Sequence, residues 1–220
     1  MIRLWVCLLW LVLLPVVARA VTVPPADSAA GFVARLLINE AAFPGERGFV
    51  SEADSKAAME QVLWVLESRC CHVPAGYRQR EIAVVESTNV LDIITAGGPR
   101  GQVDGFHRNP TGQLVTAPRV EQRVQWLVDL SHRGPPGRFS RLLEHAVALA
   151  RDAVREPDRF ARLLWIGDIA VTGRAYSWMT DRDYYHPGGA YVRIPDADDG
   201  CLSGNRFFTL KKRERKEKSP

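Results

Sequence analysis

The stretch RLLINEAAFPG ends an apolar segment with a single carboxylate, Glu40, placed shortly before a proline. Leu37, Ile38 and Phe43 supply apolar neighbours on both sides of it. A glutamate packed against such neighbours has a raised pKa, because burial disfavours the charged form, and it then carries a proton at neutral pH. The alternative is a glutamate that faces solvent, as most charged helix residues do. Glu40 is therefore a candidate general acid.

Other catalytic patterns are absent from the sequence. There is no HExxH zinc motif, no GxSxG nucleophile motif and no phosphate-binding glycine loop. The five histidines are scattered, and none has another histidine four residues away. Cys70, Cys71 and His72 are adjacent, but no second ligand pair stands at zinc-site spacing. We therefore expect no metal and no cofactor, which leaves acid chemistry at a carboxylate.

Residues 1–20 have the pattern of a secretory signal peptide. Arg3 gives a cationic start, an apolar run follows, and Ala18-Arg19-Ala20 forms a cleavage site with small residues at its first and third positions. The apolar run of about 14 residues is shorter than the roughly 20 that span a bilayer. We expect cleavage after Ala20, no transmembrane segment in the mature chain, and a periplasmic or secreted location.

Three cysteines remain after cleavage, namely Cys70, Cys71 and Cys201. Outside the cytoplasm such residues usually form disulfides. Adjacent cysteines rarely bridge each other, because one peptide unit fits the disulfide geometry poorly. The sequence therefore predicts a disulfide from Cys201 to either Cys70 or Cys71.

The positive charge of the chain is concentrated at its C-terminus. Of the 29 basic residues, two lie in the leader and six in residues 211–220 (KKRERKEKSP), a segment that also holds two of the 25 acids. The body, residues 21–210, therefore carries 21 basic against 23 acidic residues. This balance argues against nucleic-acid binding by the body. We interpret residues 21–210 as one domain and residues 211–220 as a solvated, disordered basic tail.

Helical patterns dominate the body. Asp27 or Ser28 caps a first helix, Ser51 with Asp54 resembles a capping box for a second, and Asn89 caps a short third. Further helices are predicted at residues 119–132, 140–155 and 158–165, and strands at residues 190–194 and 206–210. The predicted fold is mainly α, with a small β element near the C-terminus.

Five segments follow one another along the chain: LLINEAAFPGE, AAMEQVLWVLESR, NVLDIITAGGPRGQVDGF, HPGGAYV and SGNRFF. Their order resembles that of the SleB-type cell-wall hydrolases, which have a lysozyme-like helical domain. LLINEAAFPGE places Glu40 on the family's glutamate, and AAMEQVLWVLESR resembles its second helix. NVLDIITAGGPRGQVDGF resembles a short helix followed by a Gln-Phe-Ser type motif, with Gln102 on the glutamine. HPGGAYV and SGNRFF resemble the later Gly-Gly-Ala segment and the closing strand.

The chain departs from the family pattern at several of these motifs. Ser68-Arg69 stands where Asn-Arg is usual, and Val103-Asp104 follows the glutamine. Arg206 occupies the position of the histidine in the last motif. Tyr185-His186-Pro187 replaces the Asp-Pro-Thr that precedes Gly-Gly-Ala.

The resemblance implies a lysozyme-like fold and a secreted glycosidase that cleaves peptidoglycan glycan strands. Glu40 would be the general acid, in lytic transglycosylase or muramidase chemistry. Gln102 would hydrogen-bond the substrate, and Asp104 is a further candidate at the site. An aromatic cluster is typical of a sugar-stacking wall and equally of a small β core. It consists of Tyr176, Trp178, Tyr184, Tyr185 and Tyr191, of which Tyr176, Tyr185 and Tyr191 are the candidates for substrate contact.

Two other classes of function remain open from the sequence. The first is a non-catalytic module that binds peptidoglycan on a degenerate scaffold, for which Glu40 would be dispensable. The second is a periplasmic assembly partner that acts through its basic tail or a helix face. The sequence leaves the oligomeric state open.

Overall fold

A computed structural model describes residues 21–152, 154–180 and 186–213. It is 41% helical and 14% strand, with the strands in several small sheets. The protein is therefore mixed α/β, and the prediction of a mainly α fold is wrong. Most of the described strands contain two to four residues, too few for a readable alternation of apolar and polar positions. The predicted signal peptide and residues 214–220 of the predicted tail lie outside the described residues.

Three of the helices begin at the polar residues predicted to cap them. Ser28, Ser51 and Asn89 each accept a hydrogen bond of 3.0 Å from a backbone N–H two or three residues later. The described helices are α1 (Ala29–Glu40), α2 (Glu52–Cys71), α3 (Gln79–Ala83), α4 (Val90–Thr95), α5 (Pro118–Ser131) and α6 (Arg138–Arg151).

Helix α1 forms the centre of the helical layer. Its apolar side chains Phe32, Leu36, Leu37 and Ile38 are fully buried. The helix packs against α2, α5 and α6, while α2 also contacts α3 and α4. This burial fixes the direction of α1 and therefore the place where its last residue, Glu40, leaves the core. Within the described ranges, no helix is both long and apolar enough to cross a membrane.

The strands form two small hairpins and one larger antiparallel sheet. The described strands are β1 (Phe106–Arg108), β2 (Leu114–Thr116), β3 (Trp165–Ile166), β4 (Ile169–Ala170), β5 (Ser177–Thr180), β6 (Tyr191–Arg193), β7 (Cys201–Leu202) and β8 (Asn205–Leu210). β1 pairs with β2 and β3 with β4. β8 is central in the larger sheet, between β5 and β6, and also pairs with β7. The two predicted C-terminal strands correspond to β6 and β8.

A pair of glycines lets the β7–β8 turn touch the loop between α1 and α2. Gly48 and Gly204 have φ angles of 88° and 75°, in the left-handed region that favours glycine. A Cβ added at Gly48 would lie 2.7 Å from the Cα of Gly204. Ser203, in the same turn, donates its backbone N–H to Oδ2 of Asp54 at 2.7 Å. The larger sheet is thereby attached to the start of α2.

The predicted helix at residues 158–165 does not form. Asp158 is buried, and its Oδ1 accepts the backbone N–H of Phe160 at 3.0 Å. A side chain that bonds the backbone two residues later stabilises a turn in competition with a helix. Asp158 is also paired with Arg174 at 3.3 Å. The segment therefore folds as turns and continues into β3 at Trp165.

The predicted disulfide does not form either. Cys70 and Cys71 lie at the C-terminal end of α2, whereas Cys201 lies near the N-terminal end of that helix. Cys70 and Cys71 are free thiols in the last turn, one buried and one exposed. Cys201 lies two residues before Ser203, which contacts Asp54 at the first turn. About 16 residues of helix separate the two turns, or roughly 24 Å at 1.5 Å per residue. A disulfide requires Cα atoms within about 7 Å.

Candidate active site

Side chains from α5 and β8 hold the C-terminal end of α1. Arg123 donates from Nη2 to the carbonyl of Ala41 at 3.0 Å and from Nη1 to the carbonyl of Ile38. Asn205 donates from Nδ2 to the carbonyl of Glu40 at 2.6 Å. A helix end leaves its last carbonyls without intrahelical partners, and these donors satisfy them. The backbone of Glu40 is thereby fixed.

An ion pair braces the loop that follows α1. Arg123 lies 2.5 Å from Oε2 of Glu46, and both side chains are largely shielded from solvent. The same carboxylate oxygen accepts the backbone N–H of Phe43 at 2.8 Å. The guanidinium also lies 5.6 Å from the centroid of the Phe43 ring. Glu46 is thus a structural partner of Arg123, which contacts the helix end at the same time.

The Glu40 carboxylate is half-buried and bonded at both oxygens. Trp178 of β5 donates its Nε1–H to Oε2 at 2.9 Å. The neighbouring Asn39 donates from Nδ2 to Oε1 at 3.1 Å. These contacts select one orientation of the carboxylate. A held carboxyl group at a cavity wall is the arrangement that proton transfer to a ligand requires.

Glu40 lies between two adjoining cavities of about 640 and 250 Å³. Asn39, Arg123 and Thr180 border both cavities with it. The larger cavity, called the cleft below, is walled by the ends of α1 and α2, by the loop after α4, and by α5, β5 and β6. Its polar and aromatic lining includes Arg69, Gln102, Asp104, Arg119, Trp178 and Tyr191.

Arg69 enters the cleft from the last turn of α2. Its Nε donates to the backbone carbonyl of Tyr176 at 2.6 Å, and its Nη1 donates to Oε1 of Gln102. Its guanidinium also lies 5.5 Å from the centroid of the Trp178 ring. Burial lowers the pKa of Arg69 from its ordinary value, because the low-dielectric interior disfavours the charge. Arg69, Trp178 and Glu40 form a connected series along the cleft wall.

Three of the predicted ligand-contacting residues lie in the cleft. Gln102 follows the turn at Gly98–Arg100 and is held by Arg69. Asp104 is mostly exposed and forms an ion pair of 2.7 Å with Arg119. Tyr191, on β6, is half-buried and lines the wall. The fold therefore brings Glu40, Gln102, Asp104 and Tyr191 together around one cavity.

The remaining two predicted contacts have different positions. Tyr176 is 1% exposed and donates its hydroxyl to the carbonyl of His72 at 2.7 Å. Burial raises the pKa of Tyr176 to about 12. Tyr176 is therefore placed in the core and does not line either cavity. Tyr185 lies outside the described residues.

The sequence did not single out the residues that hold Glu40. Trp178 belonged to the aromatic cluster, but no spacing rule linked its indole to a glutamate 138 positions earlier. Asn39 and Asn205 are ordinary polar residues in the sequence, and their roles depend on where the helix end meets the sheet. Arg69 could be noticed in the sequence only because the pair Ser68-Arg69, at the end of AAMEQVLWVLESR, stands where the family usually has Asn-Arg.

The site shows no metal-binding arrangement. Within residues 21–152, 154–180 and 186–213, no group of three or more His, Cys, Asp or Glu side chains is placed to hold a metal ion. The polar and aromatic side chains that line the described cleft offer two carboxyl groups, two amides, two hydroxyl groups, an indole, a phenol and three guanidinium groups. Comparisons of the chain with protein-family models, curated proteins and solved structures find no match.

Proposed function

We propose that this protein cleaves glycosidic bonds in peptidoglycan, with Glu40 as the general acid. The observation that carries the proposal is the placement of the Glu40 carboxyl group. It lies on the wall of a 640 Å³ cleft, with Trp178 Nε1 at 2.9 Å from one of its oxygens. This geometry supports proton delivery to a ligand in the cleft more than it supports a solvated surface glutamate.

The motifs quoted for the family resemblance also meet at this site. Gln102 and Tyr191 come from segments about 90 positions apart and border the same cleft. Ser203 and Gly204, from the SGNRFF segment, border the smaller cavity beside Glu40. Residues scattered along the sequence thus surround one carboxylate. Their convergence favours a catalytic groove over an assembly surface at the basic tail.

The proposed reaction delivers a proton from Glu40 to the oxygen of the leaving sugar as the other sugar becomes oxocarbenium-like. The described carboxylates near Glu40 are engaged elsewhere, since Asp104 pairs with Arg119 and Glu46 pairs with Arg123. This arrangement suits a mechanism with one glutamate that acts first as acid and then as base. The attacking group is then a hydroxyl of the same sugar or a water molecule.

Asn39 suits a carboxyl group that changes its protonation state. An amide presents a donor on one side and an acceptor on the other. Its Nδ2 lies 3.1 Å from Oε1 of Glu40, where it can donate to the carboxylate in its ionised form. After rotation of the amide, its Oδ1 accepts a hydrogen bond from the protonated acid. Trp178, which only donates, keeps its bond to the other oxygen of Glu40 in both states.

The test compares Glu40→Gln with the parent on dye-labelled, purified peptidoglycan. Glutamine keeps the size and shape of glutamate but cannot donate the proton, so we expect kcat to fall by about 10²–10⁴-fold with the fold retained. Glu144→Gln is the matched control, because Glu144 is exposed on α6 and borders neither cavity. Equal rates for Glu40→Gln and the parent would overturn the assignment. Binding of the polymer without cleavage by either protein would favour the binding-module alternative.

A further inference from the structure

Arg69 is a buried cation with no carboxylate partner among the described residues. Its exposed fraction is 6%, and none of the ion pairs in the described chain includes it. The hydrogen-bond acceptors of its guanidinium are the neutral oxygens of Tyr176 and Gln102. The Trp178 ring at 5.5 Å adds a cation–π contact.

Arg35 shows what this fold otherwise does with a buried arginine. It is the other described arginine in the buried class, with 8% of its surface exposed. Its Nε lies 2.7 Å from Oε1 of Glu121 and 2.9 Å from Oε2. Buried charges are normally paired in this way, because an uncompensated charge in the interior is costly. Arg69 departs from the pattern.

Arg69 lines the cleft and has one guanidinium nitrogen, Nη2, without a hydrogen-bond partner among the described residues. That nitrogen is also not among the buried polar atoms that are sealed from solvent without a partner. Gln102 and the Tyr176 carbonyl hold the other two nitrogens, so the guanidinium is oriented before any ligand arrives.

We propose that Arg69 binds a carboxylate of the ligand that occupies the cleft. A guanidinium is the side chain best matched to a carboxylate, and charge-assisted hydrogen bonds are the stronger class. Burial lowers the pKa of Arg69, and a bound anion would compensate the cost of burying its charge. Glu40 and Arg69 then have separate tasks, proton transfer and recognition.

The identity of the ligand rests on the proposed function. In peptidoglycan a carboxylate has two sources. One is the lactyl group of a peptide-free muramyl sugar, and the other is the peptide stem, whose attachment converts the lactyl carboxylate into an amide. The proposal therefore predicts preference for an acidic glycan over a neutral chain of N-acetylglucosamine. Binding of oligosaccharides with and without peptide stems distinguishes the two sources of the carboxylate.

The test measures equilibrium binding to the Glu40→Gln protein, which limits turnover, by titration calorimetry. The probes are the N-acetylglucosamine tetrasaccharide, a peptide-free tetrasaccharide with alternating muramic acid, and the same tetrasaccharide with peptide stems. A fourth probe is the methyl ester of the peptide-free acid. We expect one of the acidic probes to bind about 10- to 100-fold more tightly than the neutral tetrasaccharide. If the lactyl carboxylate is the source, its ester binds like the neutral chain.

Arg69→Gln, made in the same Glu40→Gln background, should remove the preference for the acidic probe, measured as the ratio of its affinity to that of the neutral probe. If Arg69→Gln fails to fold, the comparison of neutral, ester and acid probes on the protein with Arg69 intact still tests the proposal. Equal affinities across all probes, or no binding of any probe, would overturn it.

The two proposals fail in different ways. If the parent cleaves peptidoglycan while Glu40→Gln binds neutral and acidic probes equally, the role of Arg69 is wrong and the catalytic assignment stands. If acidic probes bind through Arg69 while the parent cleaves no glycan, the glycosidase proposal is wrong and the anion site stands.

Discussion

Replacement of Trp178 by phenylalanine removes the indole N–H group that orients the Glu40 carboxyl group in the proposed mechanism. The indole Nε1–H donates to Oε2 of Glu40 at 2.9 Å, and phenylalanine keeps an aromatic ring without that donor. A hydrogen bond to a charged group contributes about 1.5–3 kcal/mol. A tenfold change in rate corresponds to about 1.4 kcal/mol of activation free energy, so the loss of this hydrogen bond from the transition state should lower kcat/KM by roughly 10- to 150-fold. The reduction arises because Glu40 is no longer held in one orientation.

The assay is the initial rate of dye release from labelled peptidoglycan, with thermal unfolding of each variant measured in parallel. Trp64→Phe is the matched control, because Trp64 Nε1 donates to the backbone carbonyl of Glu156 at 2.8 Å, outside both cavities. The control should lose about 1 kcal/mol of stability at most and keep its rate. Equal losses of rate in both variants, or a full rate in Trp178→Phe, would refute the positioning role.

Two further predictions concern thiol reactivity and acid stability. Cys71 is exposed and should be alkylated in the native protein, whereas Cys70 should react only after unfolding, because burial raises the pKa of Cys70 to about 12. Peptide mapping measures the alkylation of each thiol, and equal alkylation rates for the two would contradict this prediction. Hydrogen bonds from Arg141 and Lys56 lower the pKa of Glu52 to about 2, so its stabilisation is present above about pH 4.5 and is lost as pH falls towards 2. The free energy of unfolding in denaturant should be lower for Glu52→Gln than for the parent by under about 1 kcal/mol at pH 6, and the two values should converge near pH 2. A difference in unfolding free energy that does not change with pH would contradict this prediction.

Local features of the fold were predictable from the sequence, and distant pairings were not. Ser28, Ser51 and Asn89 cap helices through bonds that reach only two or three residues, so short sequence windows contain the whole interaction. The β5–β8 pairing joins Ser177 to Phe208, which are 31 positions apart; β5 has only four residues, and β8, predicted as a strand, is buried at almost every position and shows no alternation that would reveal its partner. The mainly α prediction therefore missed elements that tertiary contacts stabilise.

The same distinction holds at the site. Glu40 could be nominated from its apolar neighbours, because they are adjacent in sequence. Its indole partner Trp178 comes from β5, whose position depends on β8 and on the packing of the larger sheet against α2. The burial of Arg69 is also invisible in a sequence, since an arginine in a helix is usually solvated. The prediction of a disulfide at Cys201 was wrong for a related reason. It counted the cysteines but took no account of the length of α2, which keeps Cys70 and Cys71 far from Cys201.

The most direct test of the central claim is mass analysis of the glycan products from purified peptidoglycan that keeps its peptide stems, after equal exposure to the parent and to Glu40→Gln. The account predicts shorter oligosaccharides from the parent and intact strands from Glu40→Gln. Anhydro-muramyl ends would identify attack by the sugar's own hydroxyl, and reducing ends would identify attack by water. The same yield of fragments from both proteins would contradict the assignment of Glu40, and intact strands after exposure to the parent would contradict glycosidic cleavage itself.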